Sequence, residues 1–235
     1  MVLACANFGG ACLLNLCVVV KIVAGIATFD ARSSQLEQAV ESLSGQVDEI
    51  IVYNNSNNVD LTDNGKFYGL TMQNEPCYYL SCDDDIIYPP DYSANMVSAI
   101  DRLGGIVTHH GRLLTGLNKD YYRGHIAYRC FSSVGSEKRI DVAGTGVSGF
   151  RTDKFNPIEV INDPRQRMSD LLFSLEASKQ NVSIFVLRHQ TGWLKEITVP
   201  KELTCFGMEC GKNEVQNEIA NEIYRLNYEL LTSKV

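Results

Sequence analysis

The stretch YYLSCDDDIIYPPDY, residues 78–92, places three adjacent aspartates directly after an apolar run. The run itself, PCYYLSC at residues 76–82, has the continuous apolar character of a buried strand. Asp83, Asp84 and Asp85 then follow without interruption. Three neighbouring carboxylates repel one another, and burying them is costly unless a cation or a set of hydrogen-bond donors compensates. The sequence therefore predicts a compensated, charged site at the end of this strand.

An acidic run after a strand is often a solvated turn, but apolar residues on both sides of this run favour at least one inward-facing carboxylate. Carboxylates at a strand end suit a hard divalent cation, Mg²⁺ or Mn²⁺, which often also holds substrate phosphates. A calcium loop is excluded, because DDDIIYPPDY lacks the glycine at the sixth loop position and no glutamate follows at the twelfth.

The composition limits the class of protein. The 235 residues are 45% hydrophobic, which is enough for one sizeable core. A formal net charge of −7 argues against nucleic-acid binding, which requires a basic face. The eight cysteines include no C-x-x-C pair, so zinc-knuckle spacing is absent and a reducing, cytoplasmic location is expected.

Apolar β-branched runs alternate along the chain with amphipathic segments. Strands are predicted at residues 20–29, 48–55, 67–71, 76–82, 105–111, 139–153 and 182–189. Helices are predicted after the first strand, after Pro89 and Pro90, from Ser169 and near residues 212–232. This alternation predicts an α/β fold with an open, mostly parallel sheet flanked by helices. Ligands of such sheets bind at the carboxyl ends of the strands.

The order strand, D-x-D, Y-P-x-D-Y resembles metal-dependent glycosyltransferases of the GT-A fold, and most closely the family-2-like group that includes small algal-virus sugar transferases. The resemblance covers residues 21 to roughly 195. Six segments follow the group's order, namely GIATFDARSSQLEQAVESLSGQVDEIIVYNN, DNGKFYGL, CDDDIIYPPDY, VAGTGVSGFRTD, RMSDLLFSLEA and LRHQTGWL.

The resemblance implies one GT-A domain at residues 21–200, with a Rossmann-like, nucleotide-sugar-binding half at 21–104 and an acceptor half at 105–200. Residues 201–235 are then a C-terminal helical extension. The apolar residues 1–20 could form a signal anchor, but they lack a basic region and polar residues interrupt them. We therefore expect an N-terminal extension and no membrane span.

The resemblance also implies a set of binding residues. The nucleotide and its phosphates are expected at Ala27, Thr28, Phe29, Arg32, Asn54, Asn55, Lys66, Asp83 and Asp84. The donor sugar is expected at His110, Gly111 and Gly144. The metal, Mn²⁺ or Mg²⁺, is expected at Asp83, Asp85 and His189. From the residues alone, the position of His189 at the end of a buried strand favours a structural histidine over a ligand. Lys66 is equally compatible with a solvated loop lysine.

Asp170 follows Ser169 at the start of a predicted helix, where the helix dipole stabilises a carboxylate. Acidic residues are common at such positions, but the resemblance implies that Asp170 is the catalytic base. The nearby GTGVSG, residues 144–149, fits the dinucleotide pattern G-x-G-x-x-G, yet no helical pattern follows it. We interpret these glycines as room for a sugar ring or as a bulged strand.

The expected activity is transfer of a sugar from a UDP-sugar, such as UDP-glucose or a related hexose or deoxyhexose, to a hydroxyl of a glycan or glycoprotein. A base on the acceptor implies inversion, although the sequence leaves a retaining mechanism open. One alternative is a nucleotidyltransferase that makes NDP-sugars, which requires a Gly-rich basic loop that GIATFDAR does not provide. Another is a non-catalytic module that binds a sugar nucleotide.

Overall fold

The structure, a computed structural model, describes residues 20–117, 120–165, 167–203 and 213–229. The strands are β1 Ile22–Thr28, β2 Glu49–Asn54, β3 Tyr78–Asp83, β4 Ile86–Ile87, β5 Ile106–Thr108, β6 Gly111–Leu114, β7 His125–Tyr128, β8 Lys138–Ile140, β9 Val142–Ala143, β10 Val147–Arg151, β11 Ile184–Val186 and β12 Lys195–Glu196. The α-helices are α1 Ser33–Leu43, α2 Tyr92–Leu103, α3 Ser169–Lys179 and α4 Asn213–Tyr224. Shorter helical segments are the 3-10 helices Asp30–Arg32, Thr62–Met72, Ile158–Val160 and Lys201–Leu203 and the π-helix Arg225–Glu229.

The central sheet has seven strands in the order β2-β1-β3-β10-β5-β11-β8. β1 pairs in parallel with β2 and β3, and β5 pairs in parallel with β11. Only β10 and β8 run against their neighbours in this sheet. The predicted α/β fold with a mostly parallel sheet is confirmed, and the carboxyl ends of β1, β2 and β3 lie at one edge. The start of β10 lies at that edge too, because Val147 is paired with Cys82.

Helices cover both faces of this sheet. Successive residues of a strand point to opposite faces, and here they belong to different buried clusters. Ala24 and Leu80 pack in a cluster with residues of α1 and α2, whereas Val23 and Tyr79 pack in a cluster with residues of α3 and α4. The sheet is thus buried on both sides, which explains why its strands read as continuous apolar runs.

The segment at residues 67–71, predicted as a short strand, belongs instead to the 3-10 helix Thr62–Met72, so that prediction was wrong. Glycines let this helix lie directly on the sheet. A Cβ atom at Gly25 would collide with the Lys66 carbonyl oxygen, and one at Gly69 would lie 2.6 Å from the Tyr79 hydroxyl oxygen. That hydroxyl donates a hydrogen bond to the Lys66 carbonyl at 2.7 Å. The close contact fixes Lys66 beside the end of β3.

The C-terminal segment shares the core of the domain. Ile219 and Ile223 of α4 are fully buried in the cluster that includes α3. The following π-helix is tied to the sheet by Asp141, which accepts hydrogen bonds from Asn227 Nδ2 at 2.9 Å and from the Tyr228 hydroxyl at 3.2 Å. The expected N-terminal extension lies outside the described residues, apart from its last residue. No described helix is both long enough and apolar enough to cross a membrane.

Phe173 of α3 is the centre of the aromatic core and gives a test of the packing. It is fully buried, and its ring centroid lies 5.3 Å from that of Phe67 and 5.1 Å from that of Phe155. Phe173→Ala should lower the free energy of unfolding by about 3–5 kcal/mol in urea titrations, because it leaves a cavity. Met72→Ala, at a site that is 56% exposed, should change it by no more than about 0.5 kcal/mol. Similar losses in both variants would contradict this packing.

Candidate functional site

The carboxyl ends of β1 and β3 and the first turn of α3 border one cavity of about 560 Å³. Most of the residues that the sequence predicts for the site line this cavity. They are Ala27, Thr28, Phe29, Arg32, Asn55, Lys66, Asp83, Asp84, Asp85 and Asp170. Parallel strands bring their carboxyl ends together, so residues far apart in the sequence meet here.

Arg32 compensates two of the three aspartates. Its Nη1 lies 2.7 Å from Asp84 Oδ1, and its Nη2 forms an ion pair with Asp85. The Thr28 hydroxyl donates a further hydrogen bond, 2.7 Å long, to Asp84 Oδ2. The Asp84 side chain is only 2% exposed, and a carboxylate at that depth requires such partners. Arg32 reaches them because a single 3-10 turn, Asp30–Arg32, follows β1.

Lys66 compensates the remaining aspartate. Its Nζ forms an ion pair with Asp83, and the Lys66 side chain is 5% exposed. Burial acts to lower the pKa of Lys66, but the carboxylates of Asp83 and Asp63 outweigh it and raise this pKa above its ordinary value. The ammonium group therefore stays charged at neutral pH.

The two cations do not fully satisfy the aspartates. Burial raises the pKa of Asp84 to about 6, although Arg32 and the Thr28 hydroxyl act in the opposite direction. Burial, and then the neighbouring Asp83, raise the pKa of Asp85 as well. A further positive charge in the cavity would lower both pKa values. The triplet is thus a place where an additional cation would be stabilised.

Asp170, the second residue of α3, is oriented by its neighbours. Its Oδ1 accepts hydrogen bonds from the Thr145 backbone N–H at 2.8 Å and from the Thr145 hydroxyl at 2.9 Å. Its Oδ2 lies 3.7 Å from Arg112 Nη1, which also donates a hydrogen bond to the Tyr121 hydroxyl at 2.6 Å. The Asp170 side chain remains 34% exposed to the cavity. It is a fixed carboxylate that a ligand can reach.

A smaller cavity of about 210 Å³ shares Asp83, Asp85 and Asp170 with the larger one. It is lined by the predicted donor-sugar residues His110 and Gly144. Burial lowers the pKa of His110, which keeps its imidazole neutral. The two cavities therefore meet at the carboxylates.

The glycines at residues 144–149 make room for protein side chains. A Cβ atom at Gly144 would lie 2.7 Å from His110 Cβ, and one at Gly146 would collide with the Asp83 carboxylate. Strand β10 and no helix follows, as predicted. His110 and Asp83 pack against these glycines, and the approach of a sugar ring to this segment stays a prediction.

Asn54, the last residue of β2, and Asn55, which follows it, are hydrogen-bonded to neighbouring loops. Asn55 donates hydrogen bonds to the carbonyl oxygens of Thr28 and Thr62 at 3.2 and 3.0 Å, and its Oδ1 accepts one from the Leu61 N–H at 2.9 Å. Asn54 is bonded to Asp30 and Ser56 and does not line either cavity. Both amides have protein partners, and their contact with a nucleotide base stays a prediction.

Gly111 and His189 also lie away from the cavities. Gly111 is part of β6, where a Cβ atom would collide with Ile140, so packing explains the glycine. His189 Nδ1 lies 3.2 Å from His109 Nδ1 and 2.9 Å from the Leu187 carbonyl oxygen, and its Nε2 lies 3.3 Å from the Arg129 carbonyl oxygen. The nitrogens of His189 thus face protein groups, and its role as a metal ligand stays a prediction.

Several residues of the site carried no signal in the sequence. Arg112 and Tyr121 lie in a polar segment without periodicity, and Gln216 lies in the C-terminal helix, yet all three line the larger cavity. Asp63 also lines it, and its Oδ2 accepts a hydrogen bond from the Ser169 N–H at 3.0 Å, which anchors the start of α3. These residues come together only through tertiary contacts. Of these four residues, Asp63 is the one that lies within a motif quoted above, DNGKFYGL, although it was not predicted as a site residue.

The carboxylates of the site fit a divalent cation if a bound ligand supplies further oxygen atoms. No group of three or more His, Cys, Asp or Glu side chains within the described ranges could hold a metal by itself. Asp83 and Asp85, however, both line the cavities, with side chains 38% and 29% exposed. Mg²⁺ and similar ions are commonly held by one or two carboxylates together with substrate phosphates. The residues therefore fit a cation that enters with a phosphate ligand.

Among the comparisons with known proteins, the matches are to solved structures. No protein-family model matches the chain, and no curated protein is significantly similar to it. Among solved structures, "Crystal Structure of A197 from STIV" matches with a TM-score of 0.42 and 16% identity, over 77% of this chain and 87% of that chain. At this TM-score the likeness carries no weight for function, which must be inferred from the site.

The ion pairs of Arg32 predict a large stability effect. Arg32→Met should lower the free energy of unfolding by about 3–5 kcal/mol, because it leaves the buried Asp84 carboxylate and the partly exposed Asp85 carboxylate without their cation. Urea unfolding at neutral pH measures the loss. Adding Asp84→Asn to this variant should restore part of the stability, since one of the unpaired charges is then removed.

Arg102→Met is the matched control. Arg102 pairs with Glu137 through Nη1 at 2.7 Å, but its side chain is 52% exposed. Losing an exposed pair of this kind should cost no more than about 1 kcal/mol. Equal losses in Arg32→Met and Arg102→Met would show that Arg32 does not hold the aspartates in the folded protein.

Proposed function

We propose that this chain is a glycosyltransferase that moves a sugar from a UDP-sugar to a hydroxyl of a glycan or glycoprotein acceptor. One observation supports this most directly. The triplet Asp83–Asp85, compensated by Arg32 and Lys66, faces the same cavity as the fixed carboxylate of Asp170. A charged site for a diphosphate and a separate carboxylate for a hydroxyl are the two parts that this reaction requires.

The nucleotide half of the site is built from the ends of β1 and β3. Thr28 and Phe29 line the cavity where β1 ends, and Phe29 offers an aromatic face to a base. Arg32 and Lys66 offset part of the negative charge of the aspartates beside which a diphosphate would lie. The asparagines position the loop after β2 through their bonds to backbone and Asp30. Selectivity for uracil and for one hexose remains a prediction from the resemblance.

Asp83 and Asp85 are the residues that would hold a divalent cation, Mn²⁺ or Mg²⁺, together with the diphosphate. Such a cation would neutralise the negative charge that develops on the leaving UDP. Asp84 has a different task, because it is buried against Arg32 and Thr28 and keeps the guanidinium in place. The cytoplasmic location also remains a prediction.

Asp170 would act on the acceptor. The acceptor oxygen forms a bond to the anomeric carbon while the bond from that carbon to the diphosphate oxygen breaks, and Asp170 takes the hydroxyl proton. The two hydrogen bonds from Thr145 fix one carboxylate oxygen, so the other is available to the hydroxyl. Attack from the side opposite to the leaving group gives an inverted anomeric configuration.

Asp170→Asn tests the chemical step. The variant keeps an oxygen for the Thr145 bonds but removes the charge that accepts the proton. Transfer from a panel of UDP-hexoses to p-nitrophenyl glycosides should fall about 10²–10⁴-fold, the usual contribution of general base catalysis. The affinity for UDP should change little, and NMR of the wild-type product should show an inverted anomer.

Asp153→Asn is the control, because Asp153 is an exposed carboxylate that lines neither cavity. It should transfer sugar at the wild-type rate. Near-normal transfer by Asp170→Asn would mean that Asp170 is only a charge at the start of a helix. A retained anomer would contradict the single displacement.

The metal requirement is tested by titrating UDP calorimetrically with Mn²⁺ and again with EDTA. The affinity should drop strongly in EDTA, since phosphate oxygens and two carboxylates repel one another without a cation between them. Asp85→Ala should show the same defect in the presence of Mn²⁺. The same affinity under both conditions would contradict the assignment of Asp83 and Asp85 as ligands.

A further inference from the structure

Helix α4 places a buried amide at the larger cavity. Gln216 lines this cavity and is only 5% exposed, and its Oε1 has no hydrogen-bond partner among the described residues. The helix is anchored by Ile219, which is 1% exposed in the main core. A buried acceptor without a partner is unfavourable in the free protein. A ligand that donates a hydrogen bond would remove this penalty.

The same helix is connected to Asp170 through a chain of contacts. Asn217 Oδ1 accepts a hydrogen bond from the Tyr121 N–H at 2.6 Å. The Tyr121 hydroxyl accepts one from Arg112 Nη1 at 2.6 Å, and that nitrogen lies 3.7 Å from Asp170 Oδ2. By contrast, Arg32 and Lys66, which lie in the proposed diphosphate site, form ion pairs with Asp83, Asp84 and Asp85. Helix α4 thus belongs to the Asp170 side of the site.

The chemistry of Oε1 limits the ligand. An amide oxygen only accepts hydrogen bonds, so its partner must carry a donor. Phosphate oxygens of a bound nucleotide are acceptors, so they cannot be the partner of Oε1. Saccharide hydroxyls are donors, and the aromatic rings of Tyr121 and Tyr122, which line the same cavity, suit the apolar face of a sugar ring.

We propose that Gln216 recognises the acceptor, with its Oε1 accepting a hydrogen bond from a hydroxyl of the saccharide whose attacking hydroxyl lies at Asp170. This inference rests on the proposed glycosyl transfer. It gives the C-terminal helix a direct role in selecting the acceptor, in addition to its role in the core.

Gln216→Met tests the proposal, because methionine has a similar length and volume but no amide. Three measurements are compared with the wild type: UDP affinity, UDP release from UDP-hexoses into water, and transfer to p-nitrophenyl glycosides. The kcat/KM for the glycoside should fall about fivefold to tenfold, as expected for one lost hydrogen bond. UDP affinity and release into water should stay within about twofold of wild type, since neither involves the acceptor.

Gln38→Met is the matched control. Gln38 lies on the exposed side of α1, and its Nε2 bonds only within the same helix, to the Ser34 carbonyl oxygen at 3.0 Å. It undergoes the same chemical change away from the cavity, so all three measurements should remain at the wild-type level. Thermal unfolding of Gln216→Met should occur at the wild-type temperature or above it, because the substitution removes an unpaired group from the core.

The outcomes separate this inference from the proposed function. If the wild type releases no UDP from any UDP-hexose, the proposed function fails. If it releases UDP, the acceptor role of Gln216 is overturned by unchanged transfer in Gln216→Met, by an equal loss of UDP affinity, or by a marked loss of thermal stability. Release into water without transfer to any glycoside overturns it as well, because the acceptor is then not such a saccharide.

Discussion

The ion pairs that join Asp83, Asp84 and Asp85 to Arg32 and Lys66 are the constraint on which the rest of the site depends. The aspartates end β3, Arg32 comes from the turn after β1, and Lys66 comes from the 3-10 helix Thr62–Met72. A buried charge without its partner is strongly destabilising, so these three segments must meet in one arrangement. The ion pairs therefore fix both the site and the local backbone.

The 3-10 helix extends this constraint to the other half of the site. Besides carrying Lys66, it presents Asp63, whose carboxylate accepts the Ser169 N–H at the start of α3. Asp170 is the next residue. The 3-10 helix therefore positions the Lys66 ammonium beside β3 and also the Asp170 carboxylate, which is proposed as the base. Gly25 and Gly69 make this possible, because any side chain at these positions would push the helix off the sheet. The distance between the two functions of the site is thus set by the packing of one short segment.

The sequence predicted those parts of the molecule that depend on local pattern. Apolar runs gave the strands, and polar residues at their ends gave Thr28, Arg32 and the aspartates, because parallel strands share one edge. The 3-10 helix was wrongly predicted as a strand, since its two glycines and two aromatic residues give no helical period. The sequence predicted both His110, which lines the smaller cavity, and His189, which lines neither cavity. It missed Arg112 and Gln216, because such contacts depend on how the hairpin β6–β7 and helix α4 fold back onto the sheet.

The charge balance of the triplet connects it to its proposed ligand. Burial holds the pKa of Asp84 at about 6 even with Arg32 Nη1 2.7 Å from its carboxylate, so the compensation by protein cations is incomplete. A nucleoside diphosphate alone would add negative charge to this cavity and raise these pKa values further. The proposed donor is therefore expected to enter with its counter-cation, which would offset the charge of the phosphates and of Asp83 and Asp85 together. This electrostatic deficit supports the prediction that donor binding depends on a cation, and it does so separately from the resemblance of the D-x-D segment to any family.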